Sequence, residues 1–160
     1  VNTNNQVHAM DDNDAEKNNW KYDVFVLYVD EDKNFVLYNL LPLLKQHNVR
    51  AFVGEHDLPP GSRLHNLQVT LNQSKVVLVV TSYEYVADRF YKYFFTCIIL
   101  PSLHDGSIYC RKVVFLKRNS CKIPETWLTH DSVMVIEFTD NRYTNFRRIQ
   151  HTYVQNPIFI

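Results

Sequence analysis

Tyr22-Asp23-Val24-Phe25-Val26-Leu27-Tyr28 is the stretch of this sequence that decides its fold. Apart from Asp23, every residue in it is aromatic, β-branched or leucine. A strand with apolar side chains on both faces is typical of a parallel sheet that is covered by helices on both sides. We therefore interpret residues 22–28 as the first, central strand of an α/β domain.

Apolar runs alternate with segments of helical periodicity along the rest of the chain. The sequence predicts four further strands, at residues 49–53, 75–81, 112–117 and 133–139. Between and after them, apolar residues spaced three or four positions apart predict helices. These helices cover residues 35–44, 64–71 and 85–100, and a closing helix carries Tyr143, Phe146, Ile149 and Tyr153. This order predicts the α/β class, with a flavodoxin-like, doubly wound, five-stranded parallel sheet flanked by helices.

Polar residues and prolines mark where these helices begin and bend. Asp32 precedes the first helical pattern and is predicted to be its N-cap. Pro42 lies inside that pattern and predicts a kink. Thr81 and Ser82 supply hydroxyl groups that can cap the long aromatic helix, and Pro101 follows the predicted end of that helix.

Composition limits the possible classes of protein. The chain has 160 residues, of which 46% are hydrophobic and 14% aromatic, and its formal net charge is +0. It is long enough for one domain with a proper core, and it lacks the global basic field of a nucleic-acid binder. Cys97, Cys110 and Cys121 are odd in number and have no Cys-x-x-Cys spacing, so we predict free, mostly buried thiols in an intracellular protein.

The first twenty residues differ from the rest. They are rich in Asn and Asp and have no apolar period, which predicts a disordered acidic linker and not a signal peptide. The domain itself is predicted at residues 21–155, with a C-terminal tail at 156–160. No apolar run is long enough to span a bilayer, and a chain that begins with Val1 suggests a longer parent protein.

Residues 54–62, Gly54-Glu55-His56-Asp57-Leu58-Pro59-Pro60-Gly61-Ser62, form the most distinctive connection in the chain, called the 54–62 loop below. It is predicted to join the second strand to the second helix at the rim of the sheet, where α/β domains keep their functional residues. Two adjacent prolines fix their φ angles, and Gly61 after them can adopt a positive φ. The sequence therefore predicts a stiff, projecting turn.

Several functions that use such a sheet lack their required residues here. A phosphoacceptor receiver needs an aspartate at the end of strand three, but that strand ends Val80-Thr81-Ser82. Lys117, which could have been the receiver's lysine, is then a solvated strand end. Residues 29–32, after the first strand, are acidic and contain no glycine, which excludes a dinucleotide fingerprint or a P-loop at this position.

Hydrolase and metal chemistry are not indicated either. There is no Gly-x-Ser-x-Gly motif. His56 and His65 flank the 54–62 loop, but two histidines without a spaced carboxylate pair are a weak indication of a metal site. The remaining histidines are scattered, and no cofactor or metal is predicted.

Three parts of the sequence together resemble the Toll/interleukin-1 receptor (TIR) domain family. Residues 22–28 are similar to its first box, aromatic-Asp-x-Phe-x-x-Tyr, and Phe35 lies where the family usually has tryptophan. Residues 56–61 are similar to its second box, Arg-Asp-x-x-Pro-Gly, with His56 in place of arginine. Residues 74–82 resemble its Ser-Arg-Lys segment followed by an apolar strand. The resemblance covers residues 21–153, although the third box is degenerate at Arg142-Tyr143.

The resemblance implies an intracellular signalling module that relays receptor activation through TIR–TIR interaction and assembly, in innate immunity. It also implies that the 54–62 loop is the principal contact, in a weak homo-oligomer or an open, head-to-tail assembly. The acidic loop could pair with a basic face of the next copy, such as Arg142, Arg147 and Arg148, although a solvated helix face explains this cluster equally well. The implied partner-binding residues are Glu55, His56, Asp57, Leu58, Pro59, Pro60 and Gly61. The parent is then either a membrane receptor with this domain on its cytoplasmic side or a soluble adaptor.

The alternative function implied by the resemblance is NAD cleavage. Some TIR domains use a glutamate for this reaction, in a motif like Ser-x-Trp-Cys-x-x-Glu. The corresponding stretch here is Asp88-Arg89-Phe90-Tyr91-Lys92-Tyr93-Phe94, which puts Phe94 at the position of that glutamate. Glu84 is a nearby carboxylic acid, but it lies earlier in the sequence and is interpreted as a first-turn helix residue. We therefore predict that the domain is not an enzyme.

Overall fold

The computed structural model describes residues 20–104, 112–138 and 147–148. Within them the chain forms a five-stranded sheet in which all neighbouring strands are parallel, in the order β2-β1-β3-β4-β5. The flavodoxin-like α/β fold predicted from the sequence is confirmed. The strands are β1 (Tyr22–Leu27), β2 (Ala51–Val53), β3 (Ser74–Thr81), β4 (Lys112–Lys117) and β5 (Val133–Glu137).

The helices cover both faces of the sheet. Helix α1 consists of Lys33–Phe35, Val36–Leu40 and Leu41–Gln46, and a 3₁₀ turn at Asp30–Asp32 precedes it. Helix α2 is the short turn Gly54–Asp57, α3 is Arg63–Asn72 and α4 is Tyr83–Ala87. Helix α5 consists of Arg89–Phe94, Phe95–Ile99 and Leu100–His104, and a second 3₁₀ turn spans Glu125–Trp127.

Both α1 and α5 accommodate a proline by widening one turn before it. The N–H of Leu41, just before Pro42, bonds to the carbonyl of Val36. In α5 the N–H of Leu100, just before Pro101, bonds to the carbonyl of Phe95. Such π-turns relieve the clash between a proline ring and the preceding turn. The aromatic helix therefore continues past Pro101 to His104, beyond its predicted end.

Two apolar layers hold the helices on the sheet. On one face, Phe25, Val79 and Phe115 lie in a buried cluster with residues of α3 and α5 and with Trp127. On the other face, Val26, Leu78 and Leu116 pack with residues of α1. Strand residues alternate between the two clusters, as expected where both faces are covered.

An ion pair defines where β2 begins. Asp23 accepts hydrogen bonds from the backbone N–H of Arg50 at 2.8 Å and from its guanidinium at 3.0 Å. The N–H of Arg50 is thus bound by a side chain and that of Val49 by the carbonyl of Leu44, and β2 starts at Ala51, later than predicted. Burial acts to raise the pKa of Asp23, but the hydrogen bonds and charge of Arg50 outweigh it and leave that pKa below its ordinary value.

Asp32 does not cap α1, and that prediction is wrong. Its side chain makes no capping hydrogen bond and is only 1% exposed. The carboxylate instead accepts a hydrogen bond from Ser82 Oγ at 2.5 Å and another from the guanidinium of Arg118 at 2.7 Å. Arg118 also lies over the ring of Phe35, 4.9 Å from its centroid. This Asp32–Ser82–Arg118 cluster, the Asp32 clamp, joins the segments that follow β1, β3 and β4.

Ser82 has the capping role that the sequence predicted. Its Oγ accepts a hydrogen bond from the N–H of Tyr85 at the start of α4. Asp88 in turn caps α5 through the N–H of Tyr91. The same hydroxyl group of Ser82 therefore caps helix α4 and donates a hydrogen bond to Asp32 in the Asp32 clamp.

Several sequence predictions lie outside the described residues. These are the acidic linker predicted at residues 1–20, of which only Trp20 is described, most of the closing helix and the C-terminal tail. Arg147 and Arg148 are described and are exposed, whereas Arg142 is not described. In the part of the chain that the structure covers, every helix is too short or too polar to cross a membrane.

Candidate functional site

The 54–62 loop begins at the carboxyl end of β2 with a helical turn and continues as an exposed tip. The turn is α2, and the tip contains Pro59, Pro60 and Gly61, all of which are exposed. Ser62 ends the loop as the N-cap of α3, where its Oγ accepts a hydrogen bond from the N–H of His65 at 3.3 Å. The predicted connection between a strand and a helix is therefore present at the predicted edge of the sheet.

Two glycines shape the backbone of the loop. Gly54 has a φ of +28° and Gly61 has a φ of +124°, both in the region that favours glycine. A Cβ atom on Gly54 would lie 2.7 Å from Cε1 of Tyr28, which is buried at the end of β1. The loop therefore approaches the first strand so closely that only glycine fits at its start.

Hydrogen bonds hold both halves of the loop. The carboxylate of Asp57 accepts the N–H of Val53 at 2.7 Å and lies 3.0 Å from Nδ1 of His56. The side-chain amide of Asn66 donates to the carbonyl of Pro59 at 3.1 Å. Leu58 packs against the buried cluster beneath α3 and α5. These contacts connect the loop to β2, to α3 and to the core, and the stiffness inferred from its prolines stays a prediction.

The predicted partner-binding residues differ in what they can offer a partner. Glu55, His56, Asp57, Pro59, Pro60 and Gly61 are exposed, whereas Leu58 is half-buried against the core and anchors the loop. Glu55 and Asp57 already have partners within the chain. Their assignment as contact residues stays a prediction.

A cleft of about 400 Å³ lies beside the loop, at the carboxyl ends of β1 and β2. Its walls carry four carboxylates, two cationic side chains, one histidine and two phenols. The lining residues are Tyr28, Val29, Asp30, Glu31, Lys33, Glu55, His56, Arg63, Asp88 and Tyr91. The sequence analysis identified Glu55 and His56 among these residues but did not anticipate the cleft.

Arg63 and Tyr91 are two residues of this site that sequence reasoning missed. Both interact with Oε1 of Glu55: Arg63 by an ion pair and the Tyr91 hydroxyl group by a hydrogen bond of 3.1 Å. Burial raises the pKa of Tyr91, and the hydrogen bond from Arg63 opposes this shift only in part. Tyr91 therefore remains a neutral hydrogen-bond donor at physiological pH. Its only sequence signal was the apolar period that put it on the buried face of a helix.

Phe94 and Glu84 lie away from the cleft walls. Phe94 is fully buried in the core beneath α5, where its ring stacks on Phe90 with the centroids 6.3 Å apart. Glu84 is exposed in the first turn of α4, as its sequence position predicts. The carboxylates that do line the cleft come from the segment after β1, from α2 and from Asp88.

Histidine and cysteine side chains form no metal-binding cluster within the described ranges. His65 is exposed and does not line the cleft. Cys121 is buried, but Cys97 is exposed on α5, which differs from the expectation of mostly buried thiols. Cys110 lies outside the described residues.

The fold and the loop together define a class: flavodoxin-like α/β domains with a proline-stiffened loop between the second strand and the following helix. The family model of the TIR domain matches residues 21–96, and this segment belongs to that family. The match includes β1, the 54–62 loop and β3, which carry the sequence motifs. The resemblance inferred from those motifs is thereby confirmed.

A solved structure gives the same fold. The crystal structure of the TIR domain of the Toll-related receptor TRR-2 from Hydra magnipapillata aligns with a TM-score of 0.65 at 19% sequence identity. The alignment covers 84% of this chain and 99% of that chain. At this identity the likeness shows the fold alone. A search of curated proteins gave no match. Because TIR domains generally interact with other TIR domains, the family supports a general role in signalling by such interactions.

Proposed function

We propose that this domain relays receptor activation by binding other TIR domains through the 54–62 loop. The observation that carries the proposal is the exposed Pro59-Pro60-Gly61 tip on a base fixed by hydrogen bonds. A stiff loop loses little conformational entropy when it docks, so more of its contact energy appears as affinity. In most complexes of pre-organised proteins the interface backbone moves little on binding.

In this proposal, His56, which precedes the tip of the loop, determines which partners bind. His56 is exposed, with 48% of its side chain accessible, and it stands where the family usually has arginine. An imidazole lacks the planar fork of five N–H donors with which a guanidinium binds a carboxylate, so a histidine at this position recognises a partner differently from arginine. We propose that His56 selects which TIR domains are accepted. The exposed Arg147 and Arg148 are candidate contacts on the facing copy.

Replacing Pro60 with histidine is expected to weaken self-association of the chain about tenfold, because a central contact of an interface is altered. The fold should persist, since Pro60 is exposed. Sedimentation velocity over a range of concentrations measures the association, and circular dichroism checks the fold. Pro101→His is the matched control, because Pro101 is also exposed but lies outside the loop. Unchanged association of Pro60→His, or normal signalling by it in cells, would contradict the role of the loop.

We also propose that the domain does not cleave NAD. The support is chemical: the position expected for the catalytic glutamate is Phe94, and a phenyl ring can neither hydrogen-bond a ribose hydroxyl nor stabilise a developing positive charge. The buried position of Phe94 in the core agrees with a packing role.

Purified protein is therefore expected to release no nicotinamide from NAD above the level of a buffer blank. The assay has to be run at concentrations that permit self-association. Robust turnover would contradict the proposal and favour the alternative, an NAD glycohydrolase. In that case Glu84→Gln and Glu55→Gln identify the carboxylate responsible, because Glu55 lines the cleft and Glu84 does not.

We propose a cytoplasmic location and a role in innate immunity, both of which rest on the family. The parent protein is either a receptor or an adaptor. An apolar segment of about twenty residues upstream of this domain would identify a membrane receptor. Its absence from the full-length sequence would identify a soluble adaptor.

A further inference from the structure

The base of the 54–62 loop is tied to helix α5 by one carboxylate. Oε1 of Glu55 accepts the hydroxyl group of Tyr91 at 3.1 Å and pairs with the guanidinium of Arg63. Glu55 lies at the start of the loop and Arg63 directly after its end, so their ion pair closes the loop across its base. Tyr91 lies 36 positions away from Glu55 in the sequence and is 2% exposed on α5. The loop is therefore linked to a rigid part of the core.

Arg63 is itself held in place by aromatic rings of α5. Its guanidinium lies over Phe90, 3.7 Å from the ring centroid, and 5.2 Å from the centroid of Tyr91. A cation that stacks on a ring at this distance is oriented as well as attracted. Phe90 in turn stacks on the fully buried Phe94, so the contacts that orient Arg63 extend into the core.

The other carboxylate of the loop has a different role. The carboxylate of Asp57 contacts Val53, which lies next to the loop, and His56, which lies within it. Asp57 thus shapes the turn α2, whereas Glu55 connects that turn to another helix. Asp57 therefore acts on the local shape of the loop, whereas Glu55 acts on the direction in which the tip projects.

From this geometry we infer that Tyr91 and Arg63 are positioning residues that act through Glu55 and hold the Pro59-Pro60-Gly61 tip in its partner-binding orientation. The inference rests on the proposed docking function of the 54–62 loop. A partner binds only the molecules in which the loop is correctly placed, so the apparent dissociation constant rises as that fraction falls. The contacts of Glu55 with Tyr91 and Arg63, called the Glu55 tie below, are partly exposed, with 46% of the Glu55 side chain and 43% of the Arg63 side chain accessible. Loss of the Glu55 tie therefore loosens the loop and leaves the fold intact.

Tyr91→Phe and Glu55→Gln test the inference in the full 160-residue chain. Each is expected to weaken self-association about three- to tenfold. Each should also speed hydrogen exchange of the Val53 and His65 amides, which are bonded at the two ends of the loop. Tyr91→Phe removes the hydrogen bond to Glu55, and Glu55→Gln removes the charge that pairs with Arg63. Because both contacts belong to one side chain, the double variant should weaken association by less than the product of the two single effects.

Tyr85→Phe is the matched control. Tyr85 is fully buried on the neighbouring helix, its ring centroid lies 5.3 Å from that of Tyr91, and its hydroxyl group has no hydrogen-bond partner in the described part of the chain. Removing that hydroxyl group should change neither exchange nor association. A Tyr91→Phe protein that behaves like Tyr85→Phe in both measurements overturns the inference.

The Pro60→His variant separates this inference from the proposed function. If Pro60→His weakens association but Tyr91→Phe and Glu55→Gln change neither exchange nor association, the positioning role is overturned and the docking role stands. If Pro60→His leaves association unchanged, the docking role itself is overturned. Faster exchange and weaker association in both tie variants, together with the expected effect of Pro60→His, support the inference.

Discussion

Replacing Gly54 with alanine is expected to lower the free energy of unfolding by about 2–4 kcal/mol. The new Cβ atom would lie 2.7 Å from Cε1 of Tyr28 and 3.0 Å from the carbonyl oxygen of Val26. Tyr28 is 4% exposed and Val26 is fully buried, so neither neighbour can move without disturbing the sheet. The φ of +28° at Gly54 adds strain for any residue with a side chain. Urea unfolding, monitored by circular dichroism, measures the loss.

Gly61→Ala is the control that separates steric overlap from backbone strain. Gly61 also has a positive φ, +124°, but a Cβ atom there would lie 3.7 Å from its nearest neighbour, Nδ2 of Asn66. Backbone strain alone should lower the free energy of unfolding by about 1–3 kcal/mol. If Gly54→Ala is no more destabilising than Gly61→Ala, the close approach to Tyr28 does not explain why glycine is present. We also expect the two variants to unfold at different midpoint concentrations of urea. The slope of the unfolding free energy against urea concentration, the m-value, should be the same in both.

Apolar patterning was sufficient to predict most of the sheet, because strands buried on both faces leave a continuous signal. β4 has the predicted bounds, and β1 and β3 differ from them by one residue at one end. The prediction of β2 was less accurate, since Val49 and Arg50 continue its apolar and polar pattern while their N–H groups bond outside the sheet. The N–H of Val49 bonds to Leu44, and that of Arg50 to Asp23. Such competing partners are not visible in local periodicity.

The candidate site was predictable only where its geometry is local. The positive φ of Gly61 follows from the Pro-Pro-Gly sequence, and the exposure of the tip follows from its position at the rim. The contact between Gly54 and Tyr28 depends on how closely two strand ends approach. The tie between Glu55 and Tyr91 joins residues 36 positions apart. Neither leaves a spacing signal, because long-range packing determines which side chains meet.

Asp32 illustrates how one sequence signal can serve two structures. An aspartate before an apolar helical pattern is typical of an N-cap, and the sequence predicted that role. Its real partners, Ser82 and Arg118, lie 50 and 86 positions away. They become neighbours because β1, β3 and β4 are adjacent and parallel, so their carboxyl ends meet at one edge of the sheet.

Replacing Asp32 with alanine is expected to lower the free energy of unfolding by about 2–4 kcal/mol. The carboxylate is 1% exposed and accepts one hydrogen bond from a hydroxyl group and one from a guanidinium. Its removal leaves the hydroxyl group of Ser82, itself 1% exposed, without this acceptor. Arg118 loses its counter-charge but has 41% of its side chain accessible, so water compensates for part of the loss. The lost hydrogen bonds and the buried space left by the side chain therefore dominate the effect.

Glu31→Ala is the matched control, because it removes a neighbouring carboxylate that is exposed; it should change stability by less than about 0.5 kcal/mol. Asp32→Asn keeps the size of the side chain and one carbonyl acceptor, so its effect should lie between those of Glu31→Ala and Asp32→Ala.

A double-mutant cycle of Asp32→Ala with Arg118→Ala isolates the ion pair, and we expect the double variant to be more stable than the sum of the two single losses predicts. If Asp32→Ala unfolds at the same urea concentration as Glu31→Ala, the Asp32 clamp does not stabilise the carboxyl edge of the sheet. If instead the losses of the two single variants add, Arg118 and Asp32 act independently, and their ion pair does not help to hold the ends of β1 and β4 near each other.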